Sequence, residues 1–326
     1  MWDFSISRTF SVLAGTVPFI LLRMAIYFGI TLAYILATGT GAGIGYGVGQ
    51  LGDDPGSFAF WGGMVGIGLV SVILYWIREY ILYIVKAGHI AVMVHLLDGD
   101  PIPDGEGQIA YARKEITERF VESSALFALD QIIKGVIRAL TGILNIASAI
   151  LPIPGIHGLI GLINGFIRMS LTYVDEIILG YNIKTKSTNP WESSKDALIL
   201  YAQNGGAMMK NAVWLTVMMW ILTLFIFILM LVPAGALIYF IPGNSSAFGF
   251  GLAVLLAWST KAAVLEPFAI AALMQAYFKA IEGQVPDPQW DARLTDASSK
   301  FSELKDKAMA YVPTNPATAR DHGTAA

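Results

Sequence analysis

Long apolar segments constrain this chain more than any other feature of its sequence. A helix of about 20 residues crosses the roughly 30 Å hydrocarbon core of a bilayer, and six segments are that long and poor in charge. Only 14% of the residues are charged, whereas a soluble domain carries about 25%. The sequence therefore predicts an all-α, polytopic helical membrane protein with transmembrane spans near 17–38, 58–78, 132–151, 156–176, 213–241 and 248–270.

Lysine and arginine are distributed unequally among the connections between these spans. The connections 39–57, 152–155 and 242–247 contain neither residue, whereas both termini and the remaining connections contain at least one. Basic residues mark the cytoplasmic side of a membrane protein because they resist translocation. The alternation predicts three outward hairpins with both termini in the cytoplasm, and the plasma (inner) membrane of a bacterium as the location.

This topology predicts a simple domain organisation. Residues 1–16 form an N-terminal cytoplasmic segment, 17–281 the transmembrane domain and 282–326 a cytoplasmic tail with a disordered end. Within the tail, one apolar face of a charged helix could meet lipid headgroups, a partner or the helical bundle. That face carries Leu294, Ala297, Phe301, Leu304 and Ala308.

Two further segments are predicted to form helices at the cytoplasmic interface. Residues 80–97 directly follow the second span, and one helix from 58 to 97 would measure about 60 Å, twice the hydrocarbon core. We therefore expect a bend near Arg78 and Glu79, with 80–97 at the interface or under the bundle. Residues 190–204 are expected to form a short helix, with Asn189 or Thr188 as its N-cap.

The glycine-rich stretch GTGAGIGYGVGQLG, residues 39–52, contains the spelling GxGxxG. A pyrophosphate site needs a strand, a tight turn and a helix N-terminus, but this stretch follows an apolar helix. Small residues at every fourth position instead allow two helices in lipid to approach closely. The stretch therefore predicts helix packing, with a re-entrant or pore-lining turn as the alternative. The predicted packing residues are Gly39, Gly41, Gly43, Gly45, Gly47 and Gly49.

Ionisable residues inside the spans are costly and often mark function. In the sixth span Lys261 and Glu266 are followed by Pro267, which cannot donate a hydrogen bond and frees the carbonyl of Ala263. Broken helices of this kind bind substrates or ions in transporters. A structural salt bridge from Lys261 to an acid of span four is the alternative. The complete set of candidates for a substrate path is Lys261, Glu266, Pro267, Arg168, Asp175, Glu176, Asp130, Lys134 and Trp258.

Some of these charges have a simpler interpretation. Long basic side chains within two turns of an interface can reach the lipid headgroups, and Arg23, Lys134 and Arg138 are all placed so. Trp258 is too deep for an interfacial belt, so it either packs in the core or offers its face to a cation.

Signatures of other functional classes are missing from the sequence. It contains no HExxH, GxSxG or P-loop motif, so neither an enzyme, a cofactor nor a bound metal is predicted. The chain has no cysteine, and its net charge of −3 gives no reason to expect nucleic acid. The expected partners are the lipid bilayer, a small solute, and a second copy or a larger membrane complex.

The runs LIGLINGFIRMSLTYVDEIILGYNI and NPWESSKDALILYAQNGGAMMKNAVWL resemble the C-terminal part of the choline transporter-like family. The resemblance covers about 155–280 and implies fold kinship and an amine-type substrate. The chain lacks the additional spans, large extracellular loop and cysteines of that family. The matching positions are Arg168, Tyr173, Asp175, Tyr201, Asn204, Lys210, Asn211 and Ala212.

Two functional hypotheses follow from the sequence. The first is a transporter or channel-like protein for a small polar, cationic or amine-type solute, with the residues near Lys261 forming the path. The second is a membrane scaffold subunit that moves nothing and holds a larger assembly together through its glycine face and cytoplasmic helices.

Overall fold

A computed structural model describes residues 2–100, 102, 107–119, 127–139, 171–239 and 246–312. Within these ranges all regular structure is helical, which confirms the all-α class. Four helices are long and apolar enough to cross a membrane, namely Val17–Gly49, Pro55–Tyr75, Gly205–Ala236 and Phe250–Ala280. The predicted third and fourth spans fall mostly on 140–170, outside the described residues.

Twelve helices are described, and the winding of the chain changes between two of them. A π-helical turn, Lys261–Leu265, joins α9 to α10. In chain order the helices are α1 (Ile6–Gly15), α2 (Val17–Gly49), α3 (Pro55–Asp98), α4 (Gln108–Arg119), α5 (127–139), α6 (Val174–Lys184), α7 (Pro190–Gln203), α8 (Gly205–Tyr239), α9 (Ser246–Thr260), α10 (Glu266–Ala280), α11 (Pro288–Ala297) and α12 (Ser299–Ala310).

The chain forms two compact units, each assembled from separate stretches of sequence. The span unit consists of Pro18–Val85 and Trp220–Pro267. The composite unit consists of Met1–Val17, Lys86–Met219 and Phe268–Ala326. The N-terminal segment and the tail thus belong to one unit, together with parts of the predicted transmembrane domain.

Helix α8 in the span unit exposes a continuous row of large apolar side chains. In water such a surface would be strongly unfavourable, whereas in a bilayer it meets lipid tails. Together with the four long apolar helices, this surface supports integration into a membrane. The exposed residues on α8 include Trp220, Ile221, Leu224, Phe225, Ile228, Leu229 and Val232.

Helix α2 continues through the glycine stretch to Gly49 and does not end near residue 38. The predicted connection 39–57 therefore shrinks to a tight turn, in which Asp53 has a φ of 61°. The side chain of Asp54 accepts a hydrogen bond from the Ser57 amide at 3.1 Å, and Pro55 begins α3. Proline suits this position because the first amides of a helix have no partner within it.

Helix α3 is uninterrupted over 44 residues, so residues 80–97 continue the second span in one helix. Its C-terminal part lies in the composite unit. Residues 87 and 89–94 are all buried in the composite unit. The physical reason is that this stretch is apolar on all sides, and such a helix becomes a core element.

The predicted short helix before the fifth span is confirmed as α7. Asn189, and not Thr188, is its N-cap, since its side chain accepts hydrogen bonds from the amides of Trp191 and Glu192 at 3.2 Å. The helix is packed between α6 and α12. Both contacts bury apolar side chains of α7, including Ala197, Leu198, Ile199 and Leu200.

The tail forms two helices where the sequence predicted one. Ser298 leaves the helical region with φ −149° and ψ 114°, and its side chain caps α12 by accepting from the Phe301 amide. Leu294, Phe301 and Leu304 are buried, and both tail helices pack against α7. Of the three predicted uses of this apolar face, the structure shows packing within the chain.

Candidate functional site

A row of polar side chains crosses the interior of the span unit. On α2, Arg23, Tyr27 and Thr31 follow one another at intervals of four residues and therefore share one face. Opposite them lie Ser259 at the end of α9 and Glu266 at the start of α10. We call these five residues the polar ladder, because they link neighbouring helices at successive levels of an otherwise apolar core.

At the Arg23 end of the polar ladder the contact is an ion pair. Arg23 is only 1% exposed, and its Nη2 donates to the Glu266 carboxylate at 2.9 Å and to the Ala262 carbonyl at 2.8 Å. The Tyr27 hydroxyl lies 3.5 Å from the same carboxylate oxygen. Arg23 therefore does not reach out to the headgroups, which corrects the expectation that it lies at the interface.

The π-helical turn explains which carbonyl Arg23 binds. In this turn the Glu266 amide donates to the carbonyl of Lys261, five residues earlier. In the same pattern the next donor to the Ala262 carbonyl would be Pro267, which has no N–H. Arg23 supplies the missing donor. The carbonyl that Arg23 binds is thus that of Ala262, whereas an α-helical pattern predicts the free carbonyl at Ala263.

At Thr31 the contacts of the polar ladder are hydrogen bonds between uncharged groups. Thr31 Oγ1 and Ser259 Oγ are 2.5 Å apart, and Ser259 also donates to the backbone carbonyl of Tyr27 at 3.3 Å. The ring of Tyr27 packs edge-on against Trp258 with centroids 5.6 Å apart. Hydrogen bonds of this kind join helices in lipid, since a polar group without a partner there is costly.

The predicted pairing around Lys261 does not occur. Glu266 pairs with Arg23, and among the described residues the Lys261 side chain makes no hydrogen bond or ion pair, although it is partly buried. Pro267 is buried just beyond the π-helical turn. Trp258 remains 36% exposed, and its ring packs against that of Tyr27.

The other predicted acids meet lysines in the composite unit. Lys134 Nζ lies 2.8 Å from Asp130 and 3.8 Å from Asp175. These three candidates for the substrate path therefore form one cluster. Glu176 pairs with Lys86 at 3.2 Å and not with Lys261. Asp130 and Glu176 are 2% and 7% exposed. Arg168, the remaining member of the predicted set, lies outside the described residues.

The six predicted packing glycines divide into two groups. A Cβ added to Gly41 or Gly45 would lie 2.2 Å from the Gly62 carbonyl or 2.0 Å from the Phe58 carbonyl, so α2 and α3 touch through their backbones. Gly49 is similarly close to Pro55. At Gly39, Gly43 and Gly47 an added Cβ meets nothing within 4 Å among the described residues, so these three do not pack against a described part of the chain.

Sequence reasoning missed several residues of these clusters. Tyr27, Thr31 and Ser259 are uncharged, so a search for intramembrane charges passes over them, and Lys86 was assigned to an interfacial segment. The four-residue spacing of Arg23, Tyr27 and Thr31 was the one signal that could have shown the shared face.

The described part of the chain contains no group of three or more histidines and acids placed to hold a metal ion. Comparison with known proteins also gives no assignment. No family model, no curated protein and no solved structure matches this chain, and the resemblance to the choline transporter-like family gains no support.

Proposed function

We propose that this chain is an integral membrane transporter or channel-like protein for a small polar solute. The observation that carries the proposal is Lys261, a lysine without a side-chain partner among the described residues, which lies in a π-helical turn of an apolar span. Beside this turn lies the buried pair of Arg23 and Glu266. Unwound helix segments with intramembrane charges are the usual setting of substrate sites in carriers.

The proposal includes the six-span topology with both termini in the cytoplasm of a bacterial cell. Four of the six spans coincide with the long apolar helices, and the absence of basic residues from 39–57, 152–155 and 242–247 supports the orientation. The turn at 50–54, which joins α2 and α3, then faces outward with its two aspartates.

Single cysteines test this topology directly, because the natural chain has none. We expect cysteines at Ser57, Gly155 and Ser245 to react with a membrane-impermeant maleimide added to intact cells. A cysteine at Ser187 is expected to react only after the membrane is opened. Labelling of Ser187 in intact cells, with protection of the other three, would invert the topology.

The charges of the span unit bear on the class of solute. Arg23 and Lys261 outnumber Glu266, so the described core near the π-helical turn carries one excess positive charge. This charge favours a neutral or anionic solute, and it opposes the cationic and amine class that the sequence suggested. Kinship with the choline transporter-like family stays a hypothesis, and the proposal does not depend on it.

A proteoliposome flux assay tests the proposed transport. Radiolabelled glycerol, acetate and choline serve as neutral, anionic and cationic probes. We expect at least one probe, glycerol or acetate before choline, to cross faster than in protein-free liposomes. Replacing Lys261 by methionine is expected to slow that flux at least about tenfold, which corresponds to about 1.4 kcal/mol in the barrier. Flux at the protein-free level for all three probes, or flux unchanged by Lys261→Met, would contradict the proposal.

A membrane scaffold without transport is the second candidate. The direct contacts between the side chains of the polar ladder favour it. Arg23, Thr31 and Ser259 are almost completely buried, and they bind other parts of the span unit directly. Side chains in such contact leave no space for a solute between them. In this case the ladder would serve only to join helices, and no probe would cross.

A further inference from the structure

A second candidate site lies wholly within the composite unit and shares no residue with the polar ladder. It is an open cleft of about 750 Å³, lined by the N-terminal segment and by the C-terminal ends of α3, α6 and α10. Its wall combines charged side chains with the rings of Tyr181 and Phe278. The cleft therefore offers both charge and an apolar surface to a ligand.

Hydrogen bonds hold the N-terminal segment in place as one wall of this cleft. The Asp3 amide donates to the Asn211 side chain at 2.7 Å, and Asn211 donates back to the Asp3 carboxylate at 2.9 Å. Lys210 lies 2.5 Å from the same carboxylate. The hydrogen bond from Lys210, followed by that from Asn211, lowers the pKa of Asp3, so this carboxylate stays ionised at neutral pH.

Most charges in the cleft neutralise one another, but three do not. Asp98 pairs with Lys184, and Asp3 pairs with Lys210. Among the described residues the lining side chains of Lys279 and Glu282 form no ion pair, and Arg8 binds only the backbone carbonyl of Leu97. Arg8, Lys279 and Glu282 carry one net positive charge, while the six charged residues that line the cleft sum to zero, because Lys210, the partner of Asp3, is not part of the lining.

We propose that this cleft binds a phosphate group, carried either by a lipid headgroup or by a small soluble phosphate ester. Arg8 retains most of its five N–H donors, whose fork matches phosphate oxygens, and Lys279 adds a mobile second cation. Phe278 and Tyr181 provide contact area for the carbon part of the ligand. Arg8 and Lys279 attract the phosphate, whereas Glu282 repels it and therefore weakens its binding.

Binding to the purified full chain, measured with two probes, tests this proposal. Calorimetry with glycerol phosphate represents the soluble source, and native mass spectrometry with dihexanoyl phosphatidylglycerol represents the headgroup. We expect Arg8→Gln and Lys279→Gln each to raise the Kd of the bound probe at least about tenfold, because each removes a charged donor. Glu282→Gln is expected to lower the Kd.

Lys114→Gln is the matched control, because it removes one exposed positive charge from α4, outside the cleft. The Kd of the probe for this variant is expected to equal that for the natural chain. Arg8→Lys, which keeps the charge but loses the fork, is expected to give an intermediate Kd even if Arg8→Gln folds poorly. Binding of either probe, with these changes of Kd among the variants, supports the proposal. The probe that binds shows whether the phosphate comes from a lipid headgroup or from a soluble ester. Absence of binding by both probes, equal losses in Lys114→Gln, or weaker binding in Glu282→Gln would overturn it.

Discussion

Replacing Arg23 by methionine is expected to lower the melting temperature of the purified protein by at least about 5 °C. The change keeps most of the side-chain volume but removes the ion-pair partner of the Glu266 carboxylate and the donor to the Ala262 carbonyl. Removing one partner of a buried ion pair costs about 3–5 kcal/mol, and 1 kcal/mol shifts the melting temperature of a large domain by about 2 °C or more. Thermal unfolding in one fixed detergent measures the effect.

The double variant Arg23→Met/Glu266→Gln is expected to recover part of this loss. It also removes the negative charge of Glu266, so most of the electrostatic cost of losing Arg23 disappears. The Ala262 carbonyl still lacks the Arg23 donor. A double-mutant cycle with Glu266→Gln alone then gives the coupling between the two side chains. Recovery to the full stability of the natural chain would mean that the carbonyl contact contributes nothing.

Lys261→Met is the control for this cycle, because it removes a neighbouring positive charge that has no side-chain partner among the described residues. We expect its melting temperature to change by less than about 2 °C. The same variant is expected to lose solute flux, so stability and transport separate at this position. A loss of stability equal to that of Arg23→Met would contradict the assignment of Arg23 as the partner of Glu266.

Local features of this chain could be predicted from sequence, whereas the pairing of distant residues could not. The N-cap of α7 follows from three neighbouring residues and is confirmed at Asn189. Arg23 and Glu266 are 243 positions apart, and nothing in either segment indicates the other. The sequence instead offered an acid of span four as a partner for Lys261 and the lipid headgroups for Arg23.

The winding of the sixth span was a second source of error in the sequence-based prediction, because it decides which carbonyl lacks a donor. Counting four residues back from Pro267 gives Ala263, whereas the π-helical turn shifts the pattern by one and frees Ala262. Such a turn has no sequence signature other than the proline itself. The length of α3 has a separate explanation, since bilayer thickness limits only a helix that stays in lipid, and residues 87 and 89–94 are buried in the composite unit.

The two glycine stripes of α2 are expected to respond to alanine with opposite signs. An alanine Cβ at position 45 would lie 2.0 Å from the Phe58 carbonyl oxygen, and a backbone atom cannot move aside as a flexible side chain can. Helices α2 and α3 must therefore separate. We expect Gly45→Ala to destabilise the protein by about 1–3 kcal/mol, the usual cost of overpacking, and to lower its melting temperature accordingly.

Gly43→Ala is the matched control two residues away, where an added Cβ meets no described residue within 4 Å. Alanine is the better helix former by about 0.5–1 kcal/mol, so this variant is expected to be as stable as the natural chain or slightly more stable. The sequence alone could not separate the two positions, because both stripes have the same spacing and only the rotation of α2 about its axis decides which one faces α3. Equal destabilisation by both variants would mean that a second copy or another subunit packs on the Gly43 face, which the scaffold function requires and a self-contained hairpin does not.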